Sequence, residues 1–399
     1  MKYNLHLLAI ITLICLAFLS CKKDILNEPV SLGNNSLSFA DSSANNLNNA
    51  KYQALLDKYI KKGIPGLVIL IKTPQDGLWI GSAGYARIED KTPMSKLSIL
   101  YSASVAKTYT AVAIMLLVEE GKIALDDKMN KYLPKDMCDK LPNGNKATVR
   151  QLLNHTSGIP NNDWSTIMIA KILNDPFSIA PEDNITCEYG VSPAFEPGKQ
   201  VLYSSTGYEL LARIIDHITG ESHGKYFTSH IFEPLSLENT YYKNEAEYPH
   251  PKGLVNGYFD RLGNGKIENV SDIWNYTVKI YAGGDGLMAS IYDYYLFLDG
   301  LVKGKLVNSD SYKEMNTWVK SNYNDSYYGL GLYKAATKYG YKIGKSGTGM
   351  GCGMDIYYFP EKDTYILSGT NLGTFIDSDL SLIYSNDFKN ELLDLVFKN

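Results

Sequence analysis

A serine and a lysine three positions apart, Ser104-Val105-Ala106-Lys107, head an apolar run that continues to Glu120-Gly121. If that run is helical, the Ser104 hydroxyl lies near the positive end of the helix and Lys107 follows one turn on, on the same face. The chemistry this allows is acyl transfer by an activated hydroxyl. A helix N-terminus favours alkoxide-like charge, and an amine that is desolvated beside other cations can give up its proton and act as a base. The same four residues would also suit an N-cap serine followed by a solvated lysine. Position argues for the first reading: Ala111 to Val118 is apolar on every face, so Lys107 heads a helix inside the protein, where a charge needs a polar pocket opposite it.

The elements that must hold this pair can be read from periodicity. Between Lys51 and Lys62, apolar residues recur at Leu55, Leu56, Tyr59 and Ile60, a helical spacing that Gly63 closes. Residues 66–72 (GLVILIK) and 77–86 (GLWIGSAGYA) are β-rich segments joined through Pro74-Gln75-Asp76-Gly77, which predicts a hairpin. Residues 122–278 hold loops, prolines and short helices, among them Tyr208 to Ile218 ended by Gly220. Beyond Ala282-Gly283-Gly284 the pattern predicts a helix from Ile291 to Leu301. Strands then follow at Gly329–Lys334, Tyr339–Lys345, Met354–Tyr358 and Thr364–Thr370, and an amphipathic stretch from Leu380 to Phe397 packs back on them. The expected architecture is α+β: residues 51–121 and 279–399 build one antiparallel sheet flanked by helices, and 122–278 form a mostly helical insertion.

The chain has 399 residues, 45% of them hydrophobic, enough to bury a substantial core and to exclude a disordered or fibrous protein. Its net charge is only -4, with both signs interspersed, so there is no basic field for nucleic acid or an anionic membrane surface. The first twenty residues have the layout of a secretory signal: Lys2, an apolar run from Leu5 to Leu19, then Ser20-Cys21. That run is shorter than the roughly 20 residues a membrane-spanning helix needs. Phe18-Leu19-Ser20-Cys21 resembles a bacterial lipobox, so Cys21 is the expected lipidated N-terminus of an exported lipoprotein on the periplasmic side of the envelope. Residues 21–50, rich in Asn and Ser, read as a flexible tether. Among the remaining cysteines, an oxidising compartment permits a Cys138–Cys187 disulfide but the sequence does not imply one.

Several ordered segments carry a resemblance. GIPGLVILIK, LYSASVAKTYTAVAIMLLVEEGKIALDD, VRQLLNHTSGIP, FEPGKQVLYSSTGYELLARIIDHITG, AGGDGLMAS, YGLGL and GKSGTGMG follow one another as the landmarks of the class C β-lactamase-like family do. That family also holds D-alanyl-D-alanine carboxypeptidases, D-amino-acid peptidases and esterases of the penicillin-recognising superfamily. The resemblance spans residues 51 to about 397 and implies the β-lactamase/transpeptidase fold. It implies Ser104 as nucleophile, Lys107 as its motif lysine, and Tyr203, between lysines, as the shuttle that takes the serine proton and later gives it to the leaving group. The family's Lys-Thr-Gly falls at Lys345-Ser346-Gly347, whose hydroxyl would meet a substrate carboxylate. The backbone N–H groups of Ser104 and Thr348 would hold the oxyanion. Ser205 stands where the family has Asn, so an amide that reads the substrate's acylamide is missing, and this counts against efficient β-lactam turnover.

Other motifs have plainer readings. Gly340 to Ser346 nearly spells a phosphate-binding loop, but three residues separate its glycines where four are needed, and more glycines follow instead of a helix. His155, in a His-Thr-Ser-Gly turn, lacks a G-x-S-x-G elbow and reads as a structural hydrogen-bonding residue. The six histidines form no paired ligand set, so no metal or other cofactor is expected. The expected function is therefore serine acyl hydrolysis through a Ser104 acyl-enzyme, with D-alanyl peptides of the cell wall as substrate. An esterase, a weak β-lactamase and a non-hydrolytic wall-peptide binder are the alternatives. The expected partners are that substrate and a membrane reached through the lipid on Cys21.

Overall fold

The computed structural model describes residues 43–161, 171, 178–180, 182–243, 251–261, 263–322 and 325–398. The expected signal, the Cys21 lipidation site and most of the tether lie outside these residues. Helix α1 (Asn49–Lys61) buries Tyr52, Leu55, Leu56 and Tyr59 along one stripe and is followed by Gly63 in a left-handed conformation. Strands β1 (Gly66–Thr73) and β2 (Gly77–Arg87) form the hairpin expected from the Pro-Gln-Asp-Gly segment, with Thr73 opposite Gly77. A short β3 (Thr92–Pro93) pairs with β2 at its far edge.

The rest of the sheet comes from the other end of the chain: β4 (Val319–Lys320), β5 (Ser326–Tyr328), β6 (Tyr333–Thr337), β7 (Gly340–Thr348), β8 (Gly353–Phe359) and β9 (Thr364–Thr370). The nine strands lie in the order β3-β2-β1-β9-β8-β7-β6-β5-β4. Every neighbouring pair is antiparallel. β6 begins later than the sequence suggested. Gly329 to Leu332 instead form a turn, with Gly331 at positive φ, because the segment passes so close to the buried helix that a Cβ at Gly331 would lie 2.2 Å from the Ala111 side chain.

Two cores sandwich the sheet, and β1 shows why. Its alternate residues Val68 and Leu70 join a front cluster with the buried helix α2 (Ala106–Glu119), whereas Leu67, Ile69 and Ile71 join a back cluster with α1 and the C-terminal helices. Both faces of the strand are thus packed, which is why it reads as an unbroken apolar run. Truncating one such side chain to alanine costs about 2–5 kcal/mol. Helices α3 (Ser205–Thr219) and α4 (Ile291–Val302) complete the front layer, α3 ending at Gly220 with φ +72. α5 (Lys389–Phe397) closes the back. No described helix is long and apolar enough to cross a membrane. Cys138 and Cys187 are both free thiols.

Candidate active site

Ser104 does not open the long helix. It sits in a tight 3-10 turn, Ala103–Val105, immediately before α2, and Ala103 adopts a φ of +44. For an alanine this left-handed conformation costs on the order of 1–2 kcal/mol. The surroundings enforce it: Ser102 N–H donates to the Leu287 carbonyl at 2.9 Å, and the last residues of β7, beyond its pairing with β6, press on the turn from the other side. The approach is so close that a Cβ at Gly347 would lie 2.0 Å from the Ser102 carbonyl oxygen. Gly347 therefore serves the site through its lack of a side chain.

Three chain segments converge on the serine. From one turn further along α2, Lys107 Nζ donates to Ser104 Oγ at 3.1 Å and to the Gly284 carbonyl at 3.0 Å. From the loop before α3, the Tyr203 phenol donates to the same Oγ at 2.7 Å. From β7, Lys345 places its Nζ 5.0 Å from the centre of the Tyr203 ring, while Lys107 Nζ lies 5.3 Å from that centre. Negative charge passing onto the phenolic oxygen would thus be flanked by two cations. Both lysines are buried, at 2% and 3% exposure for Lys107 and Lys345. Burial, reinforced by the Lys107 cation, pushes the Lys345 ammonium down to about 7.

His155 belongs to the scaffold of this site. Its Nδ1 accepts the Ser204 N–H at 3.2 Å, and its ring packs 4.5 Å from that of Tyr203. Burial, with smaller contributions from Lys345 and Lys107, holds its imidazolium pKa well below the usual range, so it remains a neutral acceptor. Ser204 caps α3 by accepting from Gly207 N–H. The neighbouring Ser205 N–H donates to Asn161 Oδ1 at 2.9 Å. The Tyr203-Ser204-Ser205 segment is thereby anchored by His155, Asn161 and the cap of α3, next to the phenol that touches the nucleophile.

A cleft of about 450 Å³, open on one side, is lined by Ser104, Lys107, Ser205 and Thr348. Of the other sequence-derived residues, Tyr203, Lys345, Ser346 and Gly347 stand outside this lining. On β7, successive side chains alternate faces: Lys345 lies opposite Ile356 of the front core, whereas Ser346 lies opposite Asp355. The remaining lining residues, Trp274, Tyr281, Gly284, Asp285, Met350 and Phe375, had no role assigned from sequence. Gly284 and Asp285 carried a signal as members of the AGGDGLMAS landmark, and Met350 as a member of GKSGTGMG. Among the described residues, no group of His, Cys, Asp or Glu could hold a metal ion.

Comparison with known proteins agrees with this arrangement. A family model described as Beta-lactamase matches residues 50–385. The putative penicillin-binding protein PbpX of Bacillus subtilis (strain 168) is 30% identical over 289 residues, 71% of this chain and 66% of that protein. The match thus spans just under two thirds of the relative's length. Among solved structures, a D-stereospecific amidohydrolase from Streptomyces sp. is 26% identical with a TM-score of 0.73, covering 84% of this chain and 98% of that one. The D-amino acid amidase from Ochrobactrum anthropi SV3, complexed with L-phenylalanine, has the same fold at a TM-score of 0.75 and 23% identity, covering 88% of this chain and 99% of that one. The antiparallel sheet, the two enclosing helical layers and a family match running almost the length of the described chain place this protein in the Beta-lactamase family, whose members are serine hydrolases.

Proposed function

We propose that this protein hydrolyses amide bonds formed by D-amino acids, with D-alanyl peptides of the cell wall as the expected substrate class, through an acyl-enzyme on Ser104. The observation that carries the proposal is the convergence of the Tyr203 phenol and the Lys107 amine on one serine oxygen, at 2.7 and 3.1 Å. In the acylation step the pair reacts in a form one proton short, with Tyr203 as phenolate beside the Lys107 cation: Ser104 Oγ bonds to the substrate carbonyl carbon as its proton passes to the phenolate oxygen. The backbone N–H groups of Ser104 and Thr348 receive the oxyanion. The carbonyl carbon–nitrogen bond then breaks, and the leaving amine takes the proton back from the pair. Water repeats the sequence on the ester and frees the acid. Similarity to a D-stereospecific amidohydrolase supports the choice of D-amides.

Intact-mass analysis after fluorophosphonate treatment should show one adduct, on the peptide containing Ser104. Ser104→Ala should abolish both the adduct and hydrolysis. Assayed side by side, D-alanyl peptides should be cleaved faster than short-chain nitrophenyl esters or a chromogenic cephalosporin. A preference for the esters would overturn the substrate assignment, and labelling elsewhere would overturn the nucleophile. We further propose export as a lipoprotein anchored through Cys21 and facing the periplasm, where such peptides occur. Radiolabelled palmitate should be incorporated by the full chain and lost in Cys21→Ser; equal incorporation by both would refute the anchor.

A further inference from the structure

A second cavity, of about 330 Å³, lies on the back of the sheet, between strands β7, β8 and β9 and helix α5. Its size is at the small end of the roughly 300–1,000 Å³ that ligand sites occupy. The sequence makes the room. Lys342, Gly344 and Ser346 alternate onto the back face of β7, and Gly344 puts no side chain opposite Tyr357. From outside, α5 covers the space with Lys389, Leu392 and Leu393, which share one helix face at i, i+3 and i+4.

Lys342, Asp355 and Lys389 line this cavity, and their charges do not balance. Asp355, 5% exposed, is already engaged: its Oδ2 lies 2.6 Å from Lys389 Nζ and accepts from Ser368 Oγ at 3.5 Å. Lys342 is left over. Among the described residues no hydrogen bond or ion pair takes its ammonium, which instead lies over the Tyr357 ring, 3.9 Å from the ring centre. A ring face is worth about 0.5–2 kcal/mol to a cation, and it leaves the N–H groups without an oxygen acceptor. Burial holds the Lys342 pKa below the ordinary lysine range, with Asp355 opposing that shift and Lys389 adding to it. A half-buried amine in this position regains from an incoming anion what hydration no longer supplies.

Beyond the charges the lining is apolar, with Phe359, Ile366, Leu392 and a half-buried Leu393. Filling the cavity takes that surface out of water, at about 25 cal/mol per Å². A cation at one end and aliphatic walls beyond it fit an amphipathic anion. One negative charge neutralises the set of two lysines and one aspartate, which favours a carboxylate over a phosphate dianion. β7 and β9 stand two strand spacings apart, about 10 Å, so the chain of an eight-carbon acid reaches from Lys342 to Ile366. We infer that this cavity binds a medium-chain alkyl carboxylate, its head group on Lys342 and its chain against Ile366, Leu392 and Leu393. The binding does not depend on the chemistry at Ser104, which belongs to the other face of the sheet.

The test is calorimetric titration of the full chain with octanoate. One site should appear with a Kd on the order of 0.1–1 mM, ordinary for a ligand of about ten heavy atoms. Octanol, which lacks the charge, and octylammonium, which reverses it, should bind about 10-fold more weakly or worse. Lys342→Met should weaken octanoate by about 10-fold or more, and Leu393→Trp, which fills the cavity from α5, should weaken it as much. These two variants alter different elements, and melting curves verify each fold, so either one alone carries the test. Lys345→Met should leave the affinity within about 2-fold, which separates this cavity from the cleft beside Ser104 with its own buried lysines. No saturable binding below about 10 mM, octanol binding as tightly as octanoate, or unchanged affinity in folded Lys342→Met or Leu393→Trp would each overturn the assignment. So would a loss of binding in Lys345→Met that equals the loss in Lys342→Met.

Discussion

Strand β7 carries two lysines, three residues apart, that face opposite sides of the sheet and meet opposite fates. On the front, Lys345 is buried beside Lys107, a second cation, and its ammonium is driven down to about 7. On the back, Lys342 lies over the Tyr357 ring at 3.9 Å, and Asp355 nearby works against the burial that lowers its pKa. Asp355 in turn is paired with Lys389 of α5 at 2.6 Å. The back face thus answers its charges with a carboxylate, whereas the front face stacks cation on cation around a phenol and a hydroxyl. The lesson is that the front lysines are placed at a cost to the fold, and a strained site of that kind is where activity is expected to trade against stability.

Replacing each lysine in turn is the strongest way to break this contrast. Lys345→Met should lower kcat/KM by about 10²–10³-fold, the scale of losing one preorganised electrostatic group, while Lys342→Met should change it by less than about 3-fold. Stability should move the other way. Because the folded pKa of Lys345 lies below its unfolded value, the unfolded chain binds more protons between about pH 7 and the ordinary lysine range, and stability rises with pH across that window. The penalty is fully present below pH 7. Lys345→Met should therefore raise the melting temperature, by the equivalent of about 1–3 kcal/mol, more at pH 6 than at pH 10. Equal losses of activity in the two variants would show that the faces are not functionally distinct.

A pH profile sharpens the same contrast with a smaller effect. If the charged form of Lys345 supports proton transfer at Tyr203, kcat/KM carries a descending limb that begins near pH 7. Lys345→Arg keeps a permanent cation there, so its limb should disappear at the expense of about 10-fold in rate, the guanidinium being larger than the space left for an amine. A limb unchanged in the arginine variant would assign it to another group.

How far the sequence disclosed all this depends on distance along the chain. The Ser104–Lys107 pair was legible because a helical turn brings residues three apart together whatever surrounds them. Strands β1, β8 and β9 were legible because both of their faces are packed. The strained turn at Ala103 was not, since its cause is the approach of Gly347 from more than two hundred residues away. The alternation along β7 was legible too: two neighbours on a strand point to opposite faces, so Ser346, paired with Asp355, faces away from the side that Lys345 takes. The cleft wall from Tyr281 to Asp285 had no periodicity to betray it, because turns with glycine at positive φ follow no repeat.

His155 supplies the smallest and most discriminating effect, because it tests whether the front face needs a neutral group to hold its tyrosine in place. His155 adopts a φ of +63 and accepts from Ser204 N–H. Asparagine tolerates that backbone region and offers an acceptor, so His155→Asn should keep kcat/KM within about 3-fold. His155→Leu lacks the acceptor and should lose about 10-fold in rate and about 1–3 kcal/mol of stability. The acid side gives the sign. Folding holds this imidazole neutral, so its contribution is present above an unfolded pKa of about 6.5 and is lost as pH falls through that value toward the depressed folded one. Between pH 7 and 5 the melting temperature of the wild type should therefore drop further than that of His155→Asn. Parallel slopes would mean that the imidazole accepts a proton in the folded protein, and that the tyrosine is positioned by something other than a neutral His155.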